Sequence, residues 1–195
     1  MPRMAGFLRH LTLLNTGLWL GAAAFMFLVA LTIFTAPEMN DALQTRPEKG
    51  LAGQIFFQRF YLLQYVCAGA ASLLLFLEWK LGKLDFPKWR FGLLVLLSGL
   101  VLAGGLWLNP KLGQIFQQKY PGHFSEEAMK DPNQASRLEE KAKHAADEHD
   151  KWHRISEGGY GASMLLLLAY FAANCRQLPK PRRSRKPSQK IEFTL

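Results

Sequence analysis

LTLLNTGLWLGAAAFMFLVALTIFTA, residues 11–36, settles the class of this chain. A helix needs about 20 mainly apolar residues to cross the hydrocarbon of a bilayer, and this run carries no charge from end to end. Three more apolar runs, at 55–77, 91–108 and 160–173, approach the same length. The expected fold is therefore all-α, an integral membrane four-helix bundle with a helical extramembrane extension of the fourth span. A mean hydropathy near zero averages these greasy helices with a polar stretch at 110–151 and a basic tail after Arg176.

The 195 residues leave room for four spans, one extramembrane segment and short loops, and not for a second globular domain. One transmembrane domain is expected over 8–175, with spans at about 10–36, 54–78, 90–109 and 152–175 and an external helical insertion at about 125–151. The remainder, 176–195, reads as a disordered basic cytoplasmic tail held against anionic lipid. The first run is longer than the roughly 7–15 apolar residues of a signal peptide, so it reads as an uncleaved helix. Cys67 and Cys175 lie in or beside hydrocarbon, where free thiols serve as small packing residues.

The excess of 24 Lys and Arg over 15 Asp and Glu resembles a nucleic-acid signature only until the charges are placed. They flank helices and form no reading surface, so no nucleic-acid partner is expected. Arg3 and Arg9 precede the first span, Lys80, Lys83, Lys88 and Arg90 crowd the second connection, and seven basic residues follow the fourth span. Positive residues stay on the cytoplasmic side, which puts both termini inside and, in a bacterium, the chain in the inner membrane.

Local signals refine the helices. Pro37 should end the first span, because the residue before a proline avoids the helical region. Asn109-Pro110 should break the third. Gly17 and Gly21, and Gly99 and Ala103, are small-xxx-small pairs suited to helix packing or to a homo-oligomer contact. Gln54, Gln58, Tyr61 and Tyr65 share one face of the second span and form either a polar seam or ordinary interfacial contacts. Asp131-Pro132 offers a cap and a proline at the first helical position, and no breaker follows until Gly158. One charged helix is thus expected to start near 132 and run into the fourth span.

Candidate chemistry gathers on that helix. His149, His153 and Glu157 follow at intervals of four, so one face presents two imidazoles and a carboxylate, a competent ligand set for a divalent transition metal. Chance spacing and simple ion pairing remain the alternative on so charged a helix. Arg59 is the expected partner of Glu157, as a structural clasp or a substrate-binding pair, with Glu38 as a competitor and Asn109 nearby. His10 falls at the opposite membrane face from His153, which disfavours haem between them.

Trp19-Leu20-Gly21 followed by Thr35-Ala36-Pro37, then Phe56-Phe57-Gln58-Arg59-Phe60-Tyr61, Asn109-Pro110 and Trp152-His153-Arg154-Ile155-Ser156, in that order, resemble the transmembrane protein 205-like family. That resemblance implies a small four-helix membrane protein over roughly residues 8–175, and a more distant similarity to copper-resistance D type membrane proteins implies metal or cofactor handling. The expected function is non-enzymatic binding or transport of a small solute or metal ion at an outer-face site. The alternatives are a membrane redox protein carrying haem or copper and an assembly factor that docks a partner. No Walker loop, nucleophile elbow, paired cysteines or Rossmann glycines point to an enzyme.

Overall fold

In a computed structural model, residues 2–82, 86–125 and 127–176 are described. Helix α1 runs over Pro2–Thr35, and Ala36 leaves the helical region as the residue before Pro37. A short α2 (Pro37–Ala42) leads to α3 (Arg46–Gly82), whose first turn is fixed by Glu48 accepting from the Thr45 amide at 2.9 Å. The next helix is α4 (Lys88–Leu102), which passes through a π-helical segment (Ala103–Leu108) into α5 (Asn109–Lys119). A single turn, α6 (Pro121–Phe124), and a 3-10 turn (Ala128–Lys130) precede α7 (Pro132–Cys175). Among the described residues there is no strand.

Three helical stretches are long and apolar enough to cross a membrane: Gly6–Thr35, Arg46–Leu81 and Lys88–Lys119. The last of these corrects the expectation of a break at Pro110. A proline inside an α-helix lacks its N–H and presses on the carbonyl four residues back. Here the turn before it is widened, and the Asn109 N–H reaches back five residues to the Gly104 carbonyl. The π register absorbs the proline, so the helix continues to Lys119.

Helix α7 begins where Asp131-Pro132 predicts. The Asp131 side chain accepts from the Asn133 amide at 3.0 Å and from the Gln134 side chain at 3.0 Å. Its 44 residues reach about 66 Å at about 1.5 Å per residue, roughly twice a hydrocarbon core. Its apolar part is diluted by Gly158, Gly159, Gly161 and Asn174, and α7 is not among the three membrane-length apolar stretches.

Helix α1 packs along α3 and α7, α4 packs on α7 and α3, and α5 lies along the charged half of α7. The core where α1, α3, α4 and α7 meet holds Trp19, Ala71, Leu97, Leu167 and Tyr170, each 0–1% exposed. The outward faces keep their large apolar side chains exposed, among them Phe25, Leu62, Leu96 and Leu165. That is the surface of a chain whose solvent is lipid, where helix association comes from close packing and polar contacts.

Within the chain, the small-residue pairs are not where side chains press hardest on a glycine. A Cβ on Gly17 would meet Phe171 at an ordinary 3.6 Å, while Gly21 and Gly99 face open space. Ala103 is likewise exposed. Close approach occurs instead at Gly50, under the Phe116 ring, and at Gly104 and Gly105, under Tyr61 and Tyr65. The basic tail lies outside the described residues.

Candidate functional site

The π segment shapes a cavity. Tyr61 and Tyr65 stack on α3, with ring centroids 6.4 Å apart, and press on the bare backbone of Gly104 and Gly105. A Cβ on Gly104 would sit 2.6 Å from the Tyr61 hydroxyl, so any side chain there would have to displace the Tyr61 ring. Across from them, α7 presents Ser156, Gly159, Tyr160 and Ser163. The space between has a volume of about 180 Å³, and Gln64, Leu100, Val101, Ala103, Trp107, Leu108 and Ile155 complete its wall.

Among the described residues, no charged side chain lines this cavity. Tyr160 donates its hydroxyl to the Ala23 carbonyl and Ser163 donates to the Gly159 carbonyl. Gln64 is only 5% exposed, yet it belongs to the cavity wall. Just beyond, Trp107 and Trp152 meet edge-on at 5.3 Å, and the Lys111 ammonium lies 3.7 Å from the Trp152 ring centre. This aromatic and cationic border is the kind found where hydrocarbon gives way to headgroups.

Of the residues singled out from the sequence, Tyr61 and Ala103 line this cavity, and the charged and metal-ligating candidates lie outside it. Arg59 is exposed on α3 and makes no ion pair among the described residues. Glu157 turns to its own helix, with its carboxylate 3.2 Å from His153 Nε2 and both side chains more than half exposed. His149 Nδ1 turns instead to Asp150 at 3.3 Å, although the two imidazole rings stack at 5.6 Å. The imidazoles therefore serve different carboxylates, and among the described residues no three His, Cys, Asp or Glu side chains are grouped to hold a metal ion. Glu38 is exposed in α2, and Asn109 is half-buried where the π segment meets α5.

Where α5 lies along α7, Lys119 pairs with Asp150 at 3.1 Å and Phe116 packs on His149. Burial holds the His149 pKa below its usual value, with the Asp150 hydrogen bond pulling the other way. The hydrogen bond from Lys119 lowers the Asp150 carboxyl.

The other end of the bundle holds a charged cluster that charge counting passes over. Glu78, 2% exposed, accepts from Arg9 Nε at 3.0 Å on one carboxylate oxygen and from Arg90 Nη2 at 2.7 Å on the other. These side chains come from α3, α1 and α4. On α7, Asn174 donates to the Tyr170 carbonyl at 2.9 Å and to the Thr16 hydroxyl at 3.4 Å. Thr12 and Thr16 are satisfied within α1. Arg90 Nε, the Tyr170 hydroxyl and Asn174 Oδ1 are buried without a hydrogen-bond partner. The available signal was Glu78 itself, the single acid between Glu48 and Asp85, set just inside a span end among basic residues.

Residues 14–121 match DUF4149, a domain of unknown function. The match takes in more than half of the chain, from α1 through α5, and the chain belongs to that family. No curated protein and no solved structure matches it.

Proposed function

We propose that this member of the DUF4149 family is a four-span inner-membrane protein with both termini cytoplasmic, and that it binds a small, mainly apolar solute in the cavity beside the π segment without covalent chemistry. The carrying observation is the cavity, about 180 Å³ of apolar wall with one amide and several hydroxyls and no charge. An engineered apolar cavity of roughly 150 Å³ accepts benzene, so a single ring or a short chain with one hydrogen-bonding group suits this one. π-bulges recur at functional sites. Ile155 and Trp107, both about half exposed, flank the opening, so a guest enters sideways from the lipid.

The wall supplies hydroxyls and an amide, which favours a neutral guest over the metal or redox readings. The four-span reading is supported by α7, whose Leu165 and Leu168 point outward while Leu167 and Tyr170 are buried against α1 and α4. Cytoplasmic termini are supported by Arg9, Lys80, Lys88, Arg90 and Arg176 at one end of the bundle. The ordered motifs of the four spans support kinship with transmembrane protein 205-like proteins. The exposed Gly21 and Gly99 leave faces on which a second copy packs, and a homo-oligomer supplies the pathway that transport requires.

The test uses the full-length protein in an uncharged detergent with phenol as the probe. Wild type is expected to show saturable quenching of tryptophan fluorescence that is lost in Trp107→Phe, and a phenol-dependent rise in melting temperature, and Ser163→Phe, which fills the cavity, is expected to show neither. Equal responses from the two proteins would remove the cavity as the site. Membrane-impermeant maleimide should label Ser136→Cys in intact cells and should label Arg176→Cys only after lysis. The reverse pattern would invert the topology.

A further inference from the structure

Buried polar atoms in native proteins are nearly always partnered, so an unpartnered one calls for a physical reason such as an ion or a water. At the Glu78 end three such atoms occur together on facing helices: Arg90 Nε on α4, and the Tyr170 hydroxyl and Asn174 Oδ1 one turn apart on α7. Arg90 is 5% exposed and Tyr170 is 0% exposed. The Tyr170 hydroxyl lies beside the Asn174 side chain, close enough to interact with it but in no well-aligned hydrogen bond, and within electrostatic range of both Arg90 and Glu78.

Glu78 does not use up the guanidinium beside it. A carboxylate facing an arginine fork squarely takes two parallel N–H bonds, whereas Glu78 takes one from Arg90 and spends its second oxygen on Arg9. The Nε edge of Arg90 is thus left with a strong donor in a dehydrated place, and the Tyr170 hydroxyl adds a second donor. Two donors beside a fixed cation call for acceptor oxygens carrying negative charge.

We infer that this end of the bundle is an oxyanion site, in which a phosphate group enters beside the partly exposed Arg9 and is received by Arg90 Nε–H and the Tyr170 hydroxyl. Asn174 Oδ1 accepts from the guest when the phosphate carries a proton. The group belongs either to free inorganic phosphate or to an anionic lipid headgroup, since both present the same oxygens at a basic membrane face. The site stands apart from the cavity beside the π segment and does not depend on it.

The test again uses the full-length protein in an uncharged detergent. Its melting temperature is followed against sodium phosphate, with sodium chloride at equal ionic strength as the control. A saturable rise specific to phosphate is expected. Tyr170→Phe, which keeps the ring, is expected to weaken the apparent affinity about tenfold or more, the usual cost of a hydrogen bond to a charged group, and Arg90→Lys to abolish it. In nanodiscs of phosphatidylcholine, with or without phosphatidylglycerol, retention of phosphatidylglycerol by wild type and its loss in Tyr170→Phe would identify a lipid as the source. A phosphate response without lipid retention would identify the free ion. If phosphate and chloride act alike and no anionic lipid is retained, or if Tyr170→Phe responds as wild type does, the site holds water only and the inference fails. Because Tyr170→Phe preserves the packing, a failure of Arg90→Lys to fold leaves the test standing.

Discussion

Glu78 and Glu157 are both carboxylates paired with a basic side chain, and almost nothing else about them is alike. Glu78 is 2% exposed and ties α3 to α1 and α4 through two arginines. Glu157 has a side chain 65% exposed and is bonded to a histidine on its own helix, one turn away. An ion pair between exposed groups is held in water and is worth tenths of a kcal/mol. A buried one need not stabilise the fold, but removing one partner strands a charge where nothing hydrates it. The end of the molecule with fewer charged residues is therefore the end where charge matters more.

Four measurements bear on that contrast. The largest effect should come from Glu78→Gln, which leaves two arginines without their shared anion and should cost about 3–5 kcal/mol in reversible unfolding. A loss below about 0.5 kcal/mol would put Glu78 in the same class as an exposed pair. Next comes Gly105→Ala, whose methyl would run into Tyr65 and Tyr61. Overpacking of this kind costs about 1–3 kcal/mol, and unchanged stability would mean that the tyrosines move aside freely.

A smaller, pH-dependent effect is expected where α5 lies along α7. Burial disfavours protonated His149 in the folded chain, so the unfolded chain takes up the proton first as the pH falls. The stability that neutral His149 contributes is complete above its ordinary value of 6.5 and drains away as the pH drops below it. Protection factors for amide exchange over 112–119 and 145–152 should fall between pH 7 and 5 in wild type and not in His149→Gln. Identical pH profiles would remove His149 from that contact. The smallest effect is reserved for His153→Ala, within about 0.5 kcal/mol for an exposed pair one turn apart. A loss rivalling that of Glu78→Gln would erase the difference between the two carboxylates.

The long helices were legible because hydrophobic length is a one-dimensional signal. Pro37 and the Asp131-Pro132 cap were legible because each acts on its immediate neighbours. Pro110 misled for the opposite reason: whether a proline breaks a helix depends on whether the preceding turn can widen, and that in turn depends on Tyr61 and Tyr65 from another helix. The cavity was half visible, since Tyr61 was recognised on a polar face while Gln64, Ser156 and Ser163 were not brought to it. His149, His153 and Glu157 do share a face as their spacing requires, but spacing fixes where side chains start and not which acceptors they turn towards. The Glu78 cluster was hidden because its members lie 69 and 12 residues apart in the chain, and Arg9 and Arg90 had already been accounted for as flanking charges.

The widened turn at Ala103–Leu108 also sets a rotational phase. A π-bulge houses about one residue more than the α-helix it interrupts, and each residue of an α-helix advances the direction of its side chain by about 100°. Deleting one residue there, for instance Gly104, would let α4 and α5 join as a regular helix while turning everything beyond by roughly that angle relative to α7. Phe116 would leave His149, Lys119 would leave Asp150, and Pro110 would meet a carbonyl it now avoids. Single substitutions cannot reproduce that change, so the length of this turn is itself a heritable property of the chain, and relatives one residue shorter at this point should present a different face of α5 to α7.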